Sequence, residues 1–154
     1  MRASITRADR VMLEGAYYRT LKARAEIIEG SANDLLWDLA IYKYALQRCI
    51  DALWELDKIP KKSQAHQLFY LMLRDYGLRA HVSRNVYTTA LALVKSAKEN
   101  NGSKPAVKKM SARLDYQDAR VDMDNHVVRV VLRDRWYTLR LIQRRESISR
   151  SSKV

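Results

Sequence analysis

From Tyr17 to Ile28 apolar and polar side chains alternate, with Leu21, Ala23, Ala25 and Ile27 on one side and Lys22, Arg24 and Glu26 on the other. A period of two is the repeat of a strand, so this stretch predicts a half-buried β-strand with one face toward a core and one toward water. After Gly30 the period changes. Ser31 stands where a side chain accepts from the free backbone donors of a helix start, and Asp34 three residues on makes the first turn acidic. Leu35, Leu39, Tyr42, Leu46, Cys49, Leu53 and Leu56 then follow at alternating steps of four and three, one apolar stripe of a helix over 31–58 that Pro60 ends. Trp37, Tyr44 and Trp54 lie off that stripe; they either widen the buried surface or mark a contact face.

Ser63 is placed to cap a second helix over about 64–76 bearing Leu68, Phe69, Leu71, Met72 and Tyr76, with Gly77 where a left-handed cap belongs. A third helix over about 80–99 carries Val82, Val86, Ala90, Leu93 and Ala97, and Asn100-Asn101-Gly102-Ser103 stops it. The pair around Tyr76-Gly77-Leu78 fits a helix-turn-helix and also, as the commoner arrangement, two antiparallel helices of a bundle. After Pro105 the period returns to two. Met110, Ala112 and Leu114 alternate with Lys109, Ser111, Arg113 and Asp115, and Ala119, Val121 and Met123 with Asp118, Arg120, Asp122 and Asp124; Val128, Val130 and Leu132 then face inward with Arg129 and Arg133 outward, and Tyr137, Leu139 and Leu141 take the core face of the last strand. Asp124-Asn125-His126 and Arg133-Asp134-Arg135 read as tight turns, so 104–146 predicts a four-stranded antiparallel meander.

The expected class is α+β: an antiparallel β-barrel or curved sheet, made of the early strand plus the C-terminal meander and interrupted by a three-helix insert. Pairing the early strand with the meander covers an edge that would otherwise be exposed. The expected organisation is an N-terminal arm and first strand over 1–30, an α-helical insert over 31–103, the meander over 104–146 and a flexible tail over 147–154. Residues 1–15 show no clean period and read as a frayed arm.

Composition narrows what such a fold is for. The 154 residues carry 29 basic against 17 acidic side chains, a net charge of +12, and 47% of them are hydrophobic, enough for a true core. One Cys excludes a disulfide framework or a Cys-based zinc ribbon and predicts a reducing, cytoplasmic setting. The longest apolar-rich stretch, Leu35 to Leu56, is broken by Asp38, Lys43, Arg48, Asp51 and Glu55, so no membrane partner is expected. The basic start of the chain lacks the apolar run of a secretory signal. Residues 101–154 hold 13 basic against 6 acidic side chains, more than half of the excess. A folded domain with this charge attracts polyanions through counterion release, and nucleic acid is the commonest of them.

Catalytic constellations are scarce. His66, His81 and His126 are far apart in sequence, and no His-x-x-x-His, Cys-x-x-Cys, phosphate loop or Gly-x-Ser-x-Gly elbow occurs. Asp115, Asp118, Asp122 and Asp124 could hold magnesium, with Asp118, Asp122 and Asp124 toward one wet side. Arg120 sits among them, however, so pairing with arginines is the favoured role. No catalytic residue, metal ligand or cofactor is assigned. The positive reading is the outward face of the meander, where Arg113, Arg120, Arg129, Arg133 and Arg140 would project to one side with Trp136. Arginine offers a planar fork for phosphate, and Trp stacks on a base or sugar. Lys108 and Lys109 lead into this face, and Arg19, Lys22 and Arg24 extend it.

The segment Tyr17-Tyr-Arg-Thr-Leu-Lys-Ala-Arg24, the helix pair around Leu68 to Val94, Lys108-Lys-Met-Ser-Ala-Arg-Leu-Asp115 and Val128-Arg-Val-Val-Leu-Arg-Asp-Arg-Trp136 together resemble the N-terminal half of archaeal TnpB-like proteins. These are the OrfB accessory proteins of insertion sequences, related to type V CRISPR effectors, and the resemblance covers about 17–146. It implies a wedge domain with a helical recognition lobe that grips guide RNA scaffold and guide–target heteroduplex. In that family cleavage belongs to a C-terminal RuvC-like domain, which this chain does not reach. The expectation is therefore a non-catalytic binder of structured RNA or DNA. Two alternatives stay open: a helix-turn-helix regulator using Arg79, Arg84, Asn85 and Lys95, and a module that forms a homodimer or docks a separate nuclease subunit.

Overall fold

The computed structural model describes residues 2–7 and 19–142, with 2–7 and 19–22 as backbone alone. Its elements run β1 (Arg2–Arg7), β2 (Arg19–Glu29), α1 (Ala32–Trp54), α2 (Lys62–Asp75), α3 (Ala80–Glu99), β3 (Ala119–Asp122), β4 (Val127–Val131) and β5 (Trp136–Ile142). The sheet order is β1-β2-β5-β4-β3, antiparallel at every pairing. The early strand thus joins the late ones, as expected: Ala25 faces Leu141 and Ile27 faces Leu139, with a register shift between Ile27 and Glu29 that adds local twist. The sheet is open among the described residues, with β1 and β3 at its edges, so the barrel alternative is not formed there.

Two strand assignments need correction. Residues 2–7, read as part of a frayed arm, form β1, with Ile5 opposite Leu21 and Ala3 opposite Ala23. The alternation of Ala3 and Ile5 with Ser4 and Thr6 is too short to be recognised without its partner strand. The stretch over 109–115, read as the first strand of the meander, belongs to no strand, so β3, β4 and β5 make three strands rather than four. Side chains of α1 supply what a strand neighbour would have supplied. Gln47 accepts from Val107 N at 2.8 Å and donates to the Pro105 carbonyl at 3.2 Å, the Tyr42 hydroxyl accepts from Arg113 N at 3.2 Å, and Lys43 Nζ donates to the Lys108 carbonyl. Of the alternating residues Ala112 and Leu114 still turn toward the core, as does Val107 before them, whereas Met110 is exposed.

The helices start and stop for local reasons. Ser31 Oγ accepts from Asp34 N at the head of α1, as the sequence predicts. α1 ends at Trp54, earlier than expected, because Lys98 of α3 donates its ammonium to the terminal carbonyls of Trp54 and Leu56 at 3.0 and 2.9 Å. α2 begins at Lys62 with Gln64 accepting from Lys61 N, so Ser63 lies inside the helix rather than capping it. Gly77 takes a φ of +85°, the left-handed turn that closes α2.

α3 packs against both α1 and α2, and the inward face of the sheet continues the same core. Leu35, Tyr42, Leu46, Cys49 and Leu53 of α1 are buried with Phe69 and Leu73 of α2, Val82, Val86, Tyr87 and Val94 of α3, Ala25, Tyr137 and Leu139 of the sheet, and Leu132 of the turn after β4. Each large aliphatic side chain so buried contributes about 1.5–3 kcal/mol. The insert is therefore docked on the sheet, and one contact fixes its angle. Arg133, in the turn after β4, donates to the Tyr76 carbonyl at 3.0 Å and lies 3.5 Å from Asp38 of α1, while the Tyr137 hydroxyl donates to Asp38 at 2.8 Å. A Cβ at Gly77 would come within 2.8 Å of the Arg133 guanidinium. Gly77→Ala is therefore expected to cost about 2 kcal/mol, from left-handed strain and the displaced guanidinium, read as a lowered urea midpoint with unchanged m.

Candidate nucleic-acid interface

The strand registers decide which arginines meet. Arg120 of β3 lies opposite Arg129 of β4, Arg129 opposite Thr138 of β5, and Val131 opposite Trp136, so Arg120, Arg129 and Trp136 share one outward corner of the sheet. Arg79, the residue before α3, enters the same corner from the helical side, where its backbone N–H donates to the Leu132 carbonyl at 3.0 Å. The guanidinium carbons of Arg79, Arg120 and Arg129 lie over the indole of Trp136 at 5.7, 5.2 and 5.4 Å from its centroid. An indole face attracts a cation by roughly 0.5–1 kcal/mol at an exposed site, and it holds a planar guanidinium in a defined orientation.

Charge in this corner is unbalanced. Arg79 Nε donates to Asp118 Oδ1 at 3.1 Å. No carboxylate among the described residues pairs with Arg120 or Arg129, which leaves three cations against one anion, a surplus of two. Three like charges around one ring repel each other, and an anion laid across them relieves that repulsion while accepting their hydrogen bonds.

The remaining candidates fall elsewhere. Arg140 is on the outward face, but it pairs with Glu26 across β5 and β2 and is neutralised there. Arg24 is exposed on that face opposite Ile142. Arg133 is not on the face, because it is spent on Tyr76 and Asp38 between sheet and helices. Arg113, Lys108 and Lys109 belong to the irregular segment laid over α1 and do not project from a strand. Arg19 pairs with Arg7 and Lys22 with Ser4 in backbone register, and their side chains lie outside the described residues.

The four aspartates also separate. Asp118 is buried in the turn before β3, and Asp122 accepts from the backbone and side chain of Asn125 at 3.2 and 2.7 Å, which closes the β3–β4 turn and lowers its pKa. Asp115 lies 3.9 Å from His81. No group of three or more metal-ligating side chains occurs among the described residues. The helix-turn-helix candidates disperse as well: Arg79 is held at the sheet, Arg84 lies over Tyr70 at 6.0 Å, and Lys95 borders a shallow groove with Glu99. The part of Arg79 in the sheet corner carries no sequence signal, since Asp118 and Trp136 are remote in the chain.

No helix among the described residues is long and apolar enough to cross a membrane. Comparison of the chain with protein-family models, with curated proteins and with solved structures finds no match.

Proposed function

We propose that the protein is a non-catalytic nucleic-acid-binding module that grips the phosphodiester backbone of structured RNA, or of an RNA–DNA duplex, at the Trp136 corner of its sheet. The observation that carries this reading is the set of three guanidinium groups over one ring with a single carboxylate among them. The chain's net charge of +12 acts in the same direction at longer range. The resemblance of 17–146 to the wedge and recognition region of TnpB-like proteins implies the same class of ligand.

The test is binding of a labelled RNA hairpin across a salt series. Affinity is expected to fall linearly with salt on logarithmic axes, with a slope of about 2 or more from the Arg79, Arg120 and Arg129 contacts alone. Absence of binding at low salt would overturn the reading.

A docking role would draw on the exposed apolar side chains of the helices, where Trp37 of α1 is 64% and Leu71 of α2 76% exposed. Exposed apolar side chains mark a partner surface where they join into one patch. A stable oligomer by light scattering without nucleic acid would favour that reading.

A further inference from the structure

We infer that Asp118 is a positioning residue of the arginine corner, one that holds Arg79 over Trp136 and, through its own charge, sets how strongly the corner attracts a polyanion. The inference rests on the nucleic-acid reading above. Its ground is an anomaly in the packing. The Asp118 side chain is 1% exposed, its Oδ1 accepts from Arg79 Nε at 3.1 Å, and its Oδ2 is buried with no hydrogen-bond partner among the described residues. A buried carboxylate with one oxygen unsatisfied is costly, and it persists only where something else holds it in place.

The turn itself does not need that carboxylate. Its backbone is closed by Asp118 N and Ala119 N donating to the Asp115 carbonyl at 3.1 and 2.9 Å, and by Val131 N donating to the Asp118 carbonyl at 2.9 Å. The side chain reaches instead to Arg79, whose backbone is anchored on Leu132 at the other end. Between these two anchors the Arg79 guanidinium is fixed over the ring, next to two arginines that have no such tether among the described residues.

The groups facing Asp118 are few. Asp115 in its own turn opposes its ionisation, while Arg79 and His81 of the α3 end favour it; Arg120 and Arg129 lie around the shared ring. Burial is the largest influence, and the carboxyl sits above the usual carboxylate range. As pH falls, Asp118 takes up a proton, the surplus of positive charge rises from two to three, and Arg79 is released to the ligand. Affinity for a polyanion therefore rises as pH falls and drops as pH rises through the Asp118 pKa. Fold stability follows the same sign, because ionising a buried acid with a raised pKa costs stability as pH increases.

The test is Asp118→Asn, which keeps the shape and an oxygen to accept from Arg79 but not the charge. Binding of an RNA hairpin is followed from about pH 8 down to about pH 4, where even an ordinary aspartate is half protonated, at fixed salt, with His81→Gln added in both backgrounds to remove the neighbouring imidazole. The variant is expected to bind roughly 3- to 8-fold tighter at the alkaline end, up to one phosphate contact's worth, with the ratio shrinking toward one as the wild type protonates. Thermal melts should show it at least as stable as the wild type at neutral pH. Weaker or equal binding at the alkaline end, or a ratio constant across the series, would overturn the inference. If neither protein binds the hairpin, the nucleic-acid reading fails, and inorganic tripolyphosphate carried through the same series then decides the role of Asp118 separately.

Discussion

Arg120→Ala combined with Arg129→Ala is expected to flatten the salt dependence of RNA binding by about 1.4–1.8 and to lower affinity roughly 25- to 60-fold at about 0.1 M salt. The figures follow from counterion release, since each lost phosphate contact removes about 0.7 unit of slope on a single strand and 0.9 on a duplex. Both side chains are exposed on the sheet's outward face, and neither has a carboxylate partner among the described residues. Truncation therefore leaves no buried charge behind, and fold stability should change by less than about 0.5 kcal/mol. Arg140→Ala is the matched control. Its guanidinium is already paired with Glu26, so its loss should change affinity less than about twofold, as expected for a surface ion pair. Equal effects of Arg140→Ala and the double variant would mean that the protein attracts RNA through diffuse charge and that the Trp136 corner has no special part.

Asp38→Ala should destabilise the fold by about 3 kcal/mol, or roughly 9 °C in Tm for a chain of this size. Asp38 lies on the buried stripe of α1 and is 4% exposed. It accepts from the Tyr137 hydroxyl and neutralises Arg133, so it joins helix to sheet at two points. Removing it strands a buried hydroxyl, since Tyr137 is 1% exposed, and leaves Arg133 leaning on the Tyr76 carbonyl alone. The Arg133 side chain is 30% exposed, so water screens part of the ion pair, and most of the expected loss is the unsatisfied hydroxyl. Burial, followed by the hydrogen bond to Asp38, raises the Tyr137 pKa, which keeps this hydroxyl a donor above the pH at which a free tyrosine ionises. Asp38→Asn, which preserves an acceptor, should recover much of the stability in urea titrations. A loss below about 1 kcal/mol for Asp38→Ala would show that α1 is held to the sheet by apolar packing alone.

The stripe of α1, the Ser31 cap, the Gly77 turn and the alternation in β2, β4 and β5 were all legible because each is a short-range pattern with a fixed period or a fixed backbone demand. The misreadings share an opposite cause. Residues 109–115 alternate as a strand does, yet Gln47 and Tyr42 of α1 take the hydrogen bonds that a neighbouring strand would have taken. Arg133 and Arg129 each follow an inward apolar residue, Leu132 and Val128, and read alike as outward positions in sequence. One is drawn inward by Asp38, ninety-five positions earlier, and the other stays on the open face.

By itself, the sequence determined the α+β class, the three-helix insert and the basic character of the C-terminal third, which follow from periodicity and composition, and pointed to the pairing of the early strand with the late sheet, which follows from the need to cover a sheet edge. Tertiary structure decided which charges are spent and which remain. Arg133, Arg140 and Asp38 are consumed in holding elements together, whereas Arg79, Arg120 and Arg129 converge on Trp136 with one buried aspartate among them. The physical reason is that an ion pair forms by distance in space, across loops of any length, and no local pattern encodes which of many similar arginines will find a carboxylate.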